Sequence, residues 1–318
     1  GTLKAAQHTQ ASYAGICRNV LLNLMPIGPD DAMLHAASLI HASGVFVLPF
    51  WLRGARTVIL PGFEPGPYLR TLAQQRITTI NLVPTMLQML LAHPDFASAD
   101  VGSLKAVIYG ASPMPRAIIE RAIAAWGQHR FWQYFGQTEV PLCLAVLRPE
   151  HHCGDLLDAC GQPALDVELR VVDEAGRALG PGEVGEVLVR APSAVSGYLN
   201  EPALTAETFD AEGWVHTRDM GLLDERGFLH LRHILPSGCF GGKAHGNAVG
   251  KPIFDYARVK GAQGRVYPVQ NIQSRIGVGL WHQDAKLVAP DPRHGVLRAA
   301  TAADDPRAVR NQPISFAV

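Results

Sequence analysis

Four short segments of this 318-residue chain bring reactive side chains and glycines together. The first is Gly1-Thr2-Leu3-Lys4-Ala5, which ends in a mobile cation. The second, Leu39-Ile40-His41-Ala42-Ser43-Gly44, sets a lone His in an apolar run. The third, Ile108-Tyr109-Gly110-Ala111-Ser112-Pro113, is followed 21 residues after Pro113 by Tyr134-Phe135-Gly136-Gln137-Thr138-Glu139. The fourth is Gly213-Trp214-Val215-His216-Thr217-Arg218-Asp219-Met220-Gly221. Singly, each is weak. A Thr-Glu pair is ordinarily a surface or capping feature, and a lone His among apolar residues is ordinarily a hydrogen-bonded core residue. Other tempting sets carry less. His151-His152-Cys153 with Cys160 lacks a spaced partner set for a metal. Cys143 reads as a small buried apolar residue rather than a nucleophile. Gly246 to Lys251 is too short for a Walker loop, and Pro252 takes the Ser/Thr place.

In their order and spacing the four segments resemble the adenylate-forming, AMP-binding superfamily. Its members include acyl-CoA synthetases, aryl-CoA ligases, luciferases and peptide-synthetase adenylation domains. The stretch from Gly182 through Arg190, then Gly197-Tyr198-Leu199-Asn200-Glu201-Pro202 to Glu207, is similar to the same family. The resemblance implies that Gly1 to Lys4 is the end of a phosphate loop, with Leu3 and Ala5 in place of the usual Pro and Gly. Gly there permits close backbone approach, and Lys4 adds positive charge. It implies that Gly110, Ala111 and Ser112 lie along the adenine, in the segment that Tyr134, Phe135 and Gly136 face. Phe135 stands where Tyr is usual, so stacking survives without the phenol hydroxyl. Thr138 would bond the α-phosphate and Glu139 would hold Mg²⁺, a cation that takes one or two carboxylates beside phosphates and waters. Asp219 would accept both ribose hydroxyls, and Arg218 replaces a more frequent Gly. His41 would sit beside the reacting carboxylate. Amino-acid-activating relatives typically carry Asp there, so His41 implies a simple fatty or aryl acid. The uncharged run Pro141 to Val146 reads equally as an apolar acyl pocket or as ordinary core.

Lys plus Arg and Asp plus Glu both number 28, so the formal net charge is zero. That balance argues against an overall basic nucleic-acid binder and against an acidic disordered chain. Apolar residues at 47% suffice for a core, and the length suits about two domains. The zero hides a split. Residues 1–232 carry a net charge of −6 and residues 233–318 carry +6, and no Glu follows Glu225. The resemblance stops at the same boundary. A hinge of the Asp-Arg-x-Lys-Asp kind is expected after Leu231, but the chain reads Arg232-His233-Ile234-Leu235-Pro236-Ser237. No match to the family's Lys-bearing domain follows. The opening Gly1-Thr2-Leu3-Lys4 reads as the middle of something longer, so a chain truncated at both ends is expected.

The elements that must hold these residues follow from periodicity. Val45–Phe50, Thr57–Leu60 and Leu104–Tyr109 read as strands. Tyr68–Arg76, Thr85–Ala92 with Pro84 at its entry, and Pro115–Trp126 with Gly127 as its stop read as helices. Such alternation argues an α/β unit with a mostly parallel sheet over residues 1–160. The alternation of Val167, Leu169, Val171 and of Val187, Val189, with turns at Asp173–Gly176 and Asp224–Gly227, argues a small antiparallel β unit over 161–232. The apolar window Ala36–Leu52, broken by Gly44 and Pro49, reads as a buried core element rather than a transmembrane segment. Peripheral membrane contact is left open. Residues 233–318 hold no period and read as an unrelated or disordered tail.

The expected activity of the intact parent is ATP-dependent activation of a carboxylic acid to an acyl-adenylate, then to a CoA thioester. ATP or AMP and Mg²⁺ are the implied cofactors, and coenzyme A is the co-substrate. No nucleic-acid partner is expected. The alternative is an inactive fragment with residual nucleotide or partner binding. Five Cys without a C-x-x-C pair suggest a thiol protein of the cytoplasm. Limited proteolysis is expected to cut first just after about residue 232. A protease-resistant tail would overturn that expectation.

Overall fold

The computed structural model describes residues 4–232, with 259–260, 266–267 and 314–317. Three segments are buried on both sides of the backbone along their whole length and become the central strands of a sheet: β2 (Ala32–His35), β4 (Thr79–Leu82) and β5 (Ala106–Gly110), with His35, Thr79 and Asn81 their buried polar residues. Full burial of consecutive residues is what a parallel sheet covered on both faces demands. With β3 (Arg56–Ile59), β6 (Phe131–Gln137), β7 (Val140–Leu147) and β8 (Gln162–Pro163) they form a seven-stranded sheet in the order β3-β2-β4-β5-β6-β7-β8. Pairing is parallel from β3 to β6 and antiparallel from β6 to β8.

The period of two along the strands divides the core. Leu34, Ile80, Val107 and Tyr109 face α4 (Pro65–Gln74), α5 (Pro84–Ala92) and α6 (Arg116–Trp126), meeting Leu72, Leu87 and Ile119. Met33, Ala106 and Ile108 face the other way. They meet Ile16 and Val20 of α1 (Gln10–Asn23), and Phe46 and Phe50 around α2 (Ala42–Val45) and α3 (Val47–Leu52). Each fully buried side chain of this size contributes roughly 1.5–3 kcal/mol relative to exposure. The antiparallel sheet has the order β12-β11-β10-β9, from β9 (Glu168–Val172), β10 (Gly185–Arg190), β11 (Val215–Leu223) and β12 (Leu229–Arg232). Helix α7 (Pro202–Thr208) lies between β10 and β11 in sequence. Phe135, Leu144 and Ala145 of the large sheet share an apolar cluster with Val187, Val189, Val215 and Leu229 of the small one.

The helices expected over 68–76, 85–92 and 115–126 form, as do strands near 57–60 and 104–109. Gly127 ends α6 at φ +85°. The strand expected over Val45–Phe50 does not form; that segment is helical. Pro49 decides it. A central strand would lose a ladder bond there, whereas in the first turn of α3 the missing N–H has no intrahelical partner to lose. The window Ala36–Leu52 is buried on one side only: Phe46 and Phe50 are enclosed, while Trp51 and Leu52 are each 60% exposed. No helix among the described residues is long and apolar enough to cross a membrane.

Strand β1 (Ala5–His8) pairs antiparallel with β15 (Ile314–Ala317). Separately, β13 (Val259–Lys260) pairs with β14 (Val266–Tyr267). The remainder of the tail expectation, the hinge-like run from His233 to Ser237 and Gly246 to Lys251 lie outside the described residues.

His152 is locked into the core. One ring nitrogen meets the Tyr109 hydroxyl at 2.9 Å and the other the Arg148 carbonyl at 2.9 Å. Burial lowers its pKa from 6.5 to about 4. The folded value is depressed, so the stability carried by the neutral ring is whole above about pH 6.5 and is lost as pH falls toward about 4. The loss is on the order of 3 kcal/mol across that window. Denaturant titrations at pH 7 and pH 4.5 should register it, and His152→Gln should flatten the pH dependence. An unchanged slope in the variant would assign the acid sensitivity elsewhere.

Candidate active site

The site forms where the parallel sheet gives way to the antiparallel hairpin β6–β7. Gly110 ends β5 and pairs with Tyr134. A Cβ on Gly110 would stand 2.4 Å from the Tyr134 carbonyl oxygen, so only glycine permits this approach. Beyond it Ala111 turns the chain at φ +65°. Gln137 pairs with Val140, leaving Thr138 and Glu139 at the tip of a tight turn. A Cβ on Gly136 would fall 2.0 Å from the Leu142 carbonyl oxygen, so the irregular pairing of β6 with β7 here also requires glycine.

Two strands away from β5, across β4, β2 delivers the chain to His41, the residue preceding α2. His35, 1% exposed at the end of β2, meets the Ser43 hydroxyl at 2.9 Å through Nδ1. Burial lowers its pKa to about 4, so a neutral ring holds the start of α2. His41, Ser43, Ala111, Tyr134, Thr138 and Glu139 line one cavity of about 600 Å³. A second cavity, of about 410 Å³, is lined by Lys4, Tyr198, Glu207, His216 and Arg218. Gln137 and Glu139 line both.

Glu139 is held from two directions. Its backbone oxygen accepts from the Val195 N–H at 2.9 Å, and its carboxylate accepts from the Tyr198 hydroxyl. Burial first, then the hydrogen bond to Glu139 and its charge, push the Tyr198 phenol up to about 12. The Lys4 ammonium lies 5.3 Å from the centre of the Tyr198 ring. The segment carrying Tyr198 also hydrogen-bonds β1: Gln7 N–H to Gly197 O and Leu199 N–H to Ala5 O. Tyr198 therefore ties the strand after Lys4 to the turn that carries Glu139.

Asp219 approaches from the small sheet. The Gln137 side-chain amide donates to the Thr217 carbonyl at 3.3 Å and reaches Asp219 Oδ2 at 3.5 Å. Between the pairs Glu186–Met220 and Leu188–His216 the ladder bulges, so Thr217, Arg218 and Asp219 oppose Val187 alone. Bulges re-aim side chains in this way beside functional sites. Arg218 holds φ +62°, a conformation that costs a non-glycine residue about 1 kcal/mol or more; the frequent Gly of the resembling family would relieve it.

The structure thus gathers His41, Ala111, Tyr134, Gly136, Thr138 and Glu139 around one cavity and Lys4 beside it. Gly110 is a buried spacer behind Tyr134. Ser112 is exposed and lines neither cavity, and Phe135 packs into the cluster between the sheets. Of the run Pro141–Val146, only Pro141 and Leu142 line the large cavity; Cys143 to Val146 are core. The sequence reading missed Tyr13, Gln137 and Tyr198. No local signal marks Tyr13; Gln137 and Tyr198 stood within quoted segments, but their partners lie far along the chain.

The fold is of the α/β class, and its hydroxyl- and carboxylate-bearing turn is joined through Gln137 to a carboxylate from a second sheet. The AMP-binding enzyme family model matches residues 1–199, and the chain belongs to that family. It is 38% identical over 202 residues to the medium/long-chain-fatty-acid–CoA ligase FadD8 of Mycobacterium tuberculosis, covering 64% of this chain and 35% of that protein. It is 32% identical over 237 residues to a feruloyl-CoA synthase of Amycolatopsis, covering 73% and 46%. The amide bond synthetase McbA of Marinactinospora thermotolerans superposes with a TM-score of 0.68 at 31% identity, covering 72% and 46%. The chain thus spans less than half the length of these relatives.

Gly136→Ala should open the hairpin at its base. A destabilisation of at least about 1–3 kcal/mol is expected from the overlap, with loss of nucleotide binding. Thermal unfolding and ATP titration of the variant check both. Wild-type behaviour would mean that the turn does not depend on the close approach.

Proposed function

We propose that these residues form the nucleotide- and acid-binding part of an acyl-CoA ligase. In the whole enzyme a carboxylic acid and ATP give an acyl-adenylate and pyrophosphate, and the thiol of coenzyme A then takes the acyl group and releases AMP. The attacking atom in the first step is the substrate's own carboxylate oxygen, so no Ser or Cys nucleophile is required. Catalysis falls to placement and charge neutralisation at the α-phosphorus. The observation that carries the reading is the approach of the Thr138–Glu139 turn and Asp219 from two different sheets, joined through Gln137.

Asp219 accepts the ribose hydroxyls, Thr138 bonds the α-phosphate, and Gly110, Ala111 and Ser112 border the adenine. Tyr134 and Gly136, which line the large cavity, shape that segment, and Phe135 packs behind it between the sheets rather than presenting its ring to the cavity. Lys4 meets the phosphates. Glu139 is the residue to hold Mg²⁺, which supplies neutralisation of phosphate charge when bound. The donor set suits that ion. Glu139 would supply one carboxylate, and the remaining ligands would come from phosphate and water, as Mg²⁺ prefers. His41 faces the acid in a cavity whose wall includes Leu39, Ile40, Val45 and Leu142. That apolar wall supports a fatty or aryl acid, as do the names of the two ligase relatives.

ATP at about 100 times its dissociation constant should add about 2.7 kcal/mol of stability to the chain, read as a rise in melting temperature. Asp219→Ala should weaken AMP binding at least tenfold, since each hydrogen bond to a charged acceptor is worth about 1.5–3 kcal/mol. Pyrophosphate exchange against a panel of fatty and aryl acids then separates activation from binding. ATP-dependent stabilisation without exchange would favour the second reading, a binding-only chain. No stabilisation and no exchange would sink the nucleotide site.

A further inference from the structure

The second cavity contains more charge than the roles above use. Lys4 and Arg218 bring two cations, and Glu139 and Glu207 two carboxylates. We propose that Arg218 is an additional polyphosphate-binding residue, contacting ATP beyond its α-phosphate and so distinguishing ATP from AMP. The proposal rests on the nucleotide reading of the adjoining cavity.

Three observations carry it. The first is backbone strain. Arg218 occupies the left-handed region at φ +62°, where a long side chain persists only if something else makes it worthwhile, and such outliers collect at ligand clamps. The second is direction. The bulge opposite Val187 puts Arg218 next to Asp219 in the chain and into the lining of the cavity that Lys4 and Glu139 share. The third is unspent donor capacity. One guanidinium nitrogen, Nη2, donates to the Glu207 carbonyl at 3.0 Å, which fixes the fork without neutralising it. Arginine carries five N–H donors in a planar array that matches phosphate oxygens. Neither the Lys4 ammonium nor the Arg218 guanidinium forms an ion pair with a carboxylate among the described residues; the one carboxylate contact of Arg218 is through its backbone N–H, which donates to Glu186 Oε1 at 3.2 Å. Two unneutralised cations beside the Glu139 turn make a receptor for an anion that reaches past the α-phosphate.

The competing explanation is structural: Arg218 merely ties the bulge to the Glu207 carbonyl in α7. Two variants separate the cases. Arg218→Gly relieves the backbone strain and is expected to melt no lower than the parent. Arg218→Gln keeps a donor for the Glu207 carbonyl and removes the charge. Calorimetric titration of the full chain with ATP, AMP and inorganic pyrophosphate reads the effect. In both variants ATP and pyrophosphate should bind roughly three- to tenfold more weakly, as loss of a charge-assisted contact at a partly exposed site implies, with AMP unchanged. Arg218→Lys should recover part of the loss. Equal weakening of ATP and AMP, full binding by Arg218→Gln, or unchanged ATP affinity in Arg218→Gly would each overturn the proposal. Those outcomes leave the nucleotide reading standing. Failure of the unmodified chain to bind either ATP or AMP would remove that reading and this proposal together.

Discussion

The site depends on one steric constraint, the close approach of β7 to β6 at Gly136, where the register of the pair shifts. The backbone of Leu142 lies so close that a methyl group at Gly136 has no room. This closeness makes the hairpin tight, and the tightness leaves Thr138 and Glu139 alone at its tip. A looser turn would let the carboxylate swing. Here Val195 and Tyr198 hold it from the side of the small sheet, while Gln137 reaches from the same turn to Thr217 and Asp219. A contact between two main chains therefore sets the relation between side chains that come from different sheets.

The position of the turn follows from topology. Strands β2, β4, β5 and β6 run parallel, so their carboxyl ends open on the same edge. Ligands of open α/β sheets gather outside that edge because the connecting loops there are free to diverge. His41 follows β2, Ala111 follows β5, and Thr138 and Glu139 follow β6. The parallel sheet supplies three of the loops. The antiparallel unit adds Asp219 and Arg218 through a bulge. Each half alone would present an incomplete set.

How far the chain could be read in advance depended on the range of the interactions. Motif residues in a single turn, such as Gly136 to Glu139, are legible because their geometry is local. Helix α6 was legible because Ile119, Ala122 and Trp126 keep one apolar face. Helix α1 was not, because its buried face includes Asn19 and Asn23 while Leu22 stays 49% exposed. Those amides complete distant backbone: Asn19 exchanges two hydrogen bonds with Cys143, and Asn23 accepts from the Leu165 N–H at 2.7 Å. No pattern within residues 10–23 announces partners more than a hundred positions away. Tyr198 was hidden in the same way, since its value lies in reaching Glu139 and lying under Lys4. The helix over 47–52 was obscured for another reason: a short apolar run fits a strand and a buried helix equally well, and only the place of Pro49 separates them.

Backbone strain adds a link between fold and chemistry. Six non-glycine residues among those described take positive φ. Ala111 and Leu142 line the large cavity, and Arg218 lines the second. Chance alone does not favour this gathering, since such residues are uncommon and costly. Their roles differ in kind. Ala111 and Leu142 have short or apolar side chains, so what their backbones gain is shape: a turn off β5 and a kink that brings the Leu142 carbonyl against Gly136. Arg218 bears a long cation, and glycine would make the same turn at lower cost. At Ala111 and Leu142 the strain therefore serves the backbone path; at Arg218 the turn serves the bulge that carries Asp219 and bonds Glu186, and the use of a long cation in place of glycine falls to the side chain.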